Sequence, residues 1–266
     1  MKLAISNIAW NAEDNTKIAP ILSQYNVTGL EVAPTKICEA PDRVSQAELQ
    51  QFQNAWTGME LVAMQSLLFG KPHLSIFGEQ QIATMTYLEA IIKMAGALKV
   101  KSLVFGSPKN RTIGSLDAVT ASTLAERFFY QLGEVAAVHD VRICIEPNPV
   151  AYQCDFLTET LEALTFVKKV NHPAIQLQID TGTMLINKED PYEVISECLP
   201  FIGHFHISEP FLNLVGSTES HVLIAAALKQ LNYQGWLSIE MKNKVMDNDV
   251  DAVKAALDFV AHTYFN

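Results

Sequence analysis

Positive charge is scarce in this chain. Its 266 residues include 19 Lys and Arg against 29 Asp and Glu, a formal net charge of −10. A surface that grips nucleic acid neutralises phosphates with clustered cations, so this balance argues against a nucleic-acid partner. It leaves room for a small anion held by one or two local cations. Cysteine is sparse as well: Cys38, Cys144, Cys154 and Cys198 form no CxxC pair. Free thiols in a reducing cytoplasm are the simplest reading, with a Cys144–Cys154 bridge the disfavoured alternative. No run approaches the ~20 apolar residues of a membrane span. The opening MKLAISNIAW lacks the apolar core and cleavage pattern of a signal peptide. The expectation is therefore a cytoplasmic protein without a membrane partner. The 12 glycines and 11 prolines gather into no linker, so a single domain over residues 1–266 is expected.

What is present is a repeated alternation. Short β-type runs occur at 3–8, 29–33, 61–66, 102–106, 142–147, 175–180, 202–208 and 235–240. Amphipathic helical patterns lie between them, clearest at 86–100, 121–140 and 251–265. Asn187–Glu193 reads as a helix start, with Pro191 near the first turn. Eight strand–helix units point to a parallel sheet with crossover helices. At this length a closed (β/α)8 TIM barrel, eight parallel strands with outer helices, is the economical solution.

The late strands alternate strictly. Ile143 and Ile145 alternate with Arg142, Cys144 and Glu146, and Leu177 and Ile179 with Gln176, Gln178 and Asp180. Phe205 and Ile207 alternate with His204 and His206, and Leu237 and Ile239 with Trp236, Ser238 and Glu240. A period of two sends the apolar set to the outer helices and the polar set to the barrel interior. The last inward residues are then Glu146, Asp180, His206 and Glu240, at the rim where barrel enzymes place their chemistry. Three buried carboxylates facing one centre are costly unless a cation joins them. A lone strand histidine is usually a core residue; beside these acids His206 reads as a metal ligand, while His204 keeps the interior hydrogen-bonding reading. Three oxygen donors and one imidazole suit one divalent ion, Mn²⁺ first, with Co²⁺, Mg²⁺ or Zn²⁺ as alternatives.

With IEPN around Glu146, QIDTGT around Asp180, HFHISEP around His206 and SIEMK around Glu240, the whole chain resembles the sugar phosphate isomerase/epimerase family of the xylose isomerase-like TIM barrels. The four residues stand 34, 26 and 34 apart, similar to that family's Glu–Asp–His–Glu metal set. The resemblance implies a metal-dependent enzyme acting on a small carbohydrate, often a homodimer, with Glu146 and Glu240 as an acid/base pair that also touches the metal. Two departures stand out. Ketose 3-epimerases have a histidine three residues after the ligand Asp, here Thr183, and an arginine six residues after the ligand His, here Leu212. Both hold the sugar in those enzymes, so the substrate here is expected to differ.

A divalent ion that binds two neighbouring oxygens of a hydroxy-ketone stabilises the enediolate formed by proton loss. Returning the proton to the other face epimerises, returning it to the next carbon isomerises, and expelling a β-hydroxyl dehydrates. The main expectation is an isomerase or epimerase of a sugar or sugar phosphate. The alternatives are a dehydratase of a cyclic polyol ketone or related acid, and a non-catalytic sugar-binding barrel. A related repair-nuclease reading fails on charge and on the shortage of rim histidines.

Candidate substrate contacts follow the early strands: Asn7 and Trp10 after the first, Glu31 ending the second, and Gln65 ending the third with His73 beyond it. The loop GSPKNR, with Ser107, Lys109 and Arg111, offers a flexible backbone and two cations for a phosphate or carboxylate; an ordinary solvated turn is the bland reading. Asn148, between Pro147 and Pro149, and Lys242, two residues beyond Glu240, complete the set.

Overall fold

The computed structural model describes residues 1–266. Eight parallel strands close into a barrel in chain order. They are β1 (Lys2–Ser6), β2 (Gly29–Val32), β3 (Glu60–Met64), β4 (Ser102–Phe105), β5 (Arg142–Ile145), β6 (Ile175–Asp180), β7 (Ile202–Ser208) and β8 (Trp236–Glu240). Pairing of β1 with β8 completes the ring, with Ile5 opposite Ile239. The outer helices are α1 (Asn15–Gln24), α2 (Gln46–Ala55), α3 (Gln81–Ala97), α4 (Ala118–Val138), α5 (Thr160–Val170), α6 (Thr181–Asn187), α7 (Pro191–Cys198), α8 (His221–Gln230) and α9 (Asp249–Val260). None is long and apolar enough to cross a membrane.

Local chemistry sets several boundaries. Ser45 and Glu48 cap α2 reciprocally, and Asp117 accepts from the Val119 and Thr120 N–H groups at the start of α4, each satisfying donors the first turn leaves free. Pro191 opens α7, and Asp190 caps it by accepting from Glu193 N. The final helical pattern ends earlier than the sequence suggests: α9 stops at Val260, and residues 261–265 wind into a wider π turn.

One large apolar core lies between the barrel wall and the helices, and it contains Ile143, Ile145, Leu177, Ile179, Phe205, Ile207, Leu237 and Ile239. These are the outward members of the alternating strands. Their inward partners form polar layers across the barrel. Arg142 donates to Gln176 Oε1, Gln178 stands level with His204, and Asp180 with His206. Gly29 packs against the Trp236 ring so closely that any Cβ would overlap it, which fits the residue to the crowded entrance of β2.

Candidate active site

The polar layers end in a cluster. Glu146 follows β5, Asp180 and Glu240 close β6 and β8, and His206 lies two residues from the end of β7. One ligand atom from each lies within 4.8 Å of all the others. His206 Nδ1 is 3.1 Å from Glu240 Oε2 and 3.3 Å from Glu146 Oε1. The ring is fully buried, yet Nδ1 has no hydrogen-bond partner. Donor atoms of adjacent ligands on a divalent ion stand about 3 Å apart, given metal–ligand bonds of about 2.1 Å. The separations, the unpartnered nitrogen and the oxygen-rich donor set all fit a hard or borderline divalent ion.

Neighbours hold these four side chains in place. His206 Nε2 lies 3.0 Å and 3.1 Å from the two carboxylate oxygens of Glu31, so a neutral ring keeps its proton there and turns the Nδ1 lone pair to the cluster. Glu31 also accepts from Ser238 Oγ at 2.6 Å. Asp180 accepts from Ser208 Oγ at 2.5 Å and from Thr183 N at 2.6 Å. Asn148 donates to Glu146 Oε2 at 3.2 Å. Gly106 faces Glu146 so closely that a Cβ would collide with Oε2, and glycine alone leaves that carboxylate its position.

The electrostatics follow from crowding. Burial, aided by Glu146 and Asp180, pushes the Glu240 carboxyl up to about 7 even though His206 opposes it. Burial and the Glu146 charge likewise raise Asp180. Burial disfavours a charged His206, but Glu240 and Glu31 outweigh it and hold the imidazole well above its usual value. Without a metal the proton on His206 serves as the counter-charge of the cluster; a divalent ion would replace it.

Above the carboxylates opens a cavity of about 470 Å³, within the ordinary range for small-molecule sites. Glu146, Asp180, Glu240, Gln65, Ser107, Asn148 and Lys242 line it, which brings together seven of the residues singled out in the sequence. Others sit elsewhere. Glu31 is fully buried beneath His206, so it supports that ring and does not line the cavity. Asn7 accepts from Ala33 N, and Trp10 donates to Asn15 Oδ1; both are buried outside the cavity wall. His73 is exposed away from it.

The cationic loop is corrected most. Arg111 is fully buried and donates to the Glu146 carbonyl at 2.7 Å and the Leu157 carbonyl at 3.4 Å. Its guanidinium fastens the loop after β5 and has no access to an anion in the cavity. Lys109 is exposed and outside the lining. A buried guanidinium must satisfy its donors locally, and here backbone carbonyls do so.

Residues not anticipated from sequence also shape the wall: Ser66, Val104, Tyr152 and Phe211, with Leu212 beside them. Ser66, Ser107, Phe211 and Leu212 all have left-handed backbone, a conformation costing roughly 1–3 kcal/mol at a non-glycine residue and concentrated at functional sites. The Phe211–Leu212 turn is secured from several sides. Phe211 N donates to Tyr152 Oη at 2.9 Å, and Lys242 N donates to Leu212 O at 3.0 Å. Beneath it, buried Glu209 accepts from the N–H groups of Gly216, Ser217 and Thr218. His221 Nε2 lies 3.2 Å from the same carboxylate, and its Nδ1 is 2.5 Å from Tyr264 Oη. The acid in HISEP was the only sequence signal for this arrangement.

Solved structures share the architecture. A D-psicose 3-epimerase solved in the presence of D-fructose is similar at 18% identity, with all of both chains covered and a TM-score of 0.80. A 3-keto-D-glucoside 4-epimerase from E. coli has 17% identity, coverage of 98% of this chain and 99% of that one, and a TM-score of 0.79. A probable 3-DHS dehydratase from Bacillus anthracis has 16% identity, coverage of 98% and 99%, and a TM-score of 0.68. At these identities the likeness is one of fold. No curated protein matches the sequence. Residues 20–262 match the family model described as xylose isomerase-like TIM barrel, and the chain belongs to that family.

Proposed function

We propose that the protein is a divalent-metal-dependent sugar isomerase or epimerase. The observation that carries this reading is the convergence of Glu146, Asp180, His206 Nδ1 and Glu240 at the floor of the cavity. Those four residues would hold the ion, Mn²⁺ first among the candidates by donor type. Bound there, the ion supplies Lewis acidity that favours proton loss beside a carbonyl.

The chain's own groups handle the proton. Glu240, a carboxylate at the cavity floor, is suited to take or return one. Glu146 is the second member of the pair, oriented by Asn148. His206 and Asp180 are tied by Glu31, Ser208 and Thr183 and stay as fixed ligands. Exposed Lys242 lies at the rim of the same cavity and can bind a substrate oxygen.

The test is deuterium incorporation from heavy water into hydroxy-ketones by metal-loaded protein. Glu146→Gln and Glu240→Gln should each abolish exchange, with metal content and circular dichroism measured alongside. Full exchange in either variant removes that residue from the acid/base role. A dehydratase is the second reading, prompted by the probable 3-DHS dehydratase that shares the fold; it would show as a product lighter by one water in the mass spectrum.

A further inference from the structure

Much of the hydrogen-bonding capacity around the cavity, apart from the carboxylates, is already engaged. Gln65 donates to Ser6 Oγ and accepts from Ser66 Oγ. The Asn148 amide donates to Glu146 and to the Pro147 carbonyl. Thr183, where ketose 3-epimerases have a histidine, is fully buried and gives its hydroxyl to Pro147 O at 3.1 Å. Leu212, where they have an arginine, lines the cavity beside Phe211, Tyr152, Val104 and Pro108. Lys242 Nζ already donates to Phe211 O at 3.2 Å.

This apolar wall is held in place. Phe211 and Tyr152 pack edge to face with centroids 5.4 Å apart, and Phe211 remains 55% exposed. The backbone at Phe211 and Leu212 keeps φ of 62° and 56°, an arrangement maintained by the bonds from Tyr152, Lys242 and the Glu209 cage. A fully hydroxylated open-chain ketose would bring hydroxyls against the side chains of Leu212 and Phe211, which can neither donate nor accept a hydrogen bond. A hydroxyl desolvated without a partner binds less well than the hydrogen in its place.

We infer that the substrate is a hydroxy-ketone that presents an apolar C–H surface to Leu212, Phe211 and Tyr152. Either a deoxygenated carbon or the face of a second ring supplies that surface. The inference rests on the isomerase reading for the position of the ketone.

Calorimetric titration of the Mn²⁺-loaded protein with D-fructose, 6-deoxy-D-fructose and a phenyl 3-keto-glucoside measures the preference without requiring turnover. The expected result is binding of the deoxy sugar or the phenyl glycoside at least about tenfold tighter than fructose, about 1.4 kcal/mol. The compound that gains identifies the source of the apolar surface. Leu212→Arg should close or reverse the gap, and Leu212→Gln makes the same comparison if the arginine variant does not fold. Fructose binding as tightly as both others, no binding of either apolar compound, or a gap unchanged by substitution overturns the inference. Heavy-water exchange on the same compounds tests the reaction separately. A binding preference without exchange on any of them leaves this inference standing and overturns the isomerase reading.

Discussion

Glu31 and His206 come from strands that are not neighbours in the barrel, yet Glu31 Oε1 meets His206 Nε2 at 3.0 Å with both side chains fully buried. Burial works against ionisation of Glu31, but His206 and His204 outweigh it and keep the carboxyl below its usual range. Second-layer partners of this kind typically contribute 10–100-fold in metal affinity. Glu31→Gln should therefore weaken divalent-metal binding by about that factor, measured by competition with a chelator, and nitrogen NMR of His206 should show altered tautomer populations. Unchanged affinity would reduce Glu31 to a packing role.

Metal binding should depend steeply on pH. Glu240 must lose its proton to act as a ligand, and it is held at about 7; His206 must lose its own, and it is raised well above its usual value. Apparent affinity should rise with pH through neutrality, because the ion displaces these protons. The same shifts affect stability. A group with a raised folded pKa contributes stability that is complete below its unfolded value and is lost as pH rises through the folded one. For Glu240 that window runs from about 4.5 to about 7. The rise in Tm on adding Mn²⁺ should thus be small at acid pH and large at mildly alkaline pH. A pH-independent rise would contradict the assignment of these ligands.

Glu209 should matter for the shape of the cavity without touching substrate. Burial opposes its charge, but His221, the Thr218 N–H and the Ser217 side chain hold its carboxyl below the usual range. The stability it contributes is present above the ordinary carboxylate pKa and is lost as pH falls through the lowered folded value. Glu209→Ala leaves three N–H groups and His221 without their acceptor and should destabilise the fold by about 3 kcal/mol. Hydrogen exchange over residues 210–218 should accelerate, and KM should rise more than kcat falls. Unaltered exchange in that loop would show that other contacts suffice.

Arg111→Ala should act on stability and not on substrate charge. Its removal takes away the short bond to the Glu146 carbonyl in a buried position, while Leu157 O keeps the Asn148 N–H, a loss of about 1–3 kcal/mol in chemical denaturation. The relative KM of anionic and neutral ketones should not change. A selective loss for anions would return this residue to the binding site.

The barrel, and the gathering of Glu146, Asp180, His206 and Glu240 at its rim, were readable in the sequence because both rest on local periodicity. Alternation in β5–β8 fixes which side chains face inward, and strand ends fix their level, so Glu146, Asp180, His206 and Glu240 could be aligned without long-range information. Arg111 and Lys109 could not be placed, because a loop cation gives no period and its fate depends on which carbonyls the next loop offers. Glu31 was located on the inward face, but its role depended on the reach of His206 from β7. Tyr152, Phe211 and Glu209 lie in rim loops, where tertiary hydrogen bonds set the backbone and sequence carries little signal beyond residue type.

The central claim is that these four rim residues hold one divalent ion, and the most direct test is elemental analysis of the protein after Mn²⁺ loading and desalting. The account predicts one ion per chain in the wild type and none in His206→Ala or Asp180→Asn, with both variants folded by circular dichroism. A wild-type protein that retains no ion after loading, or variants that retain it, would contradict the account.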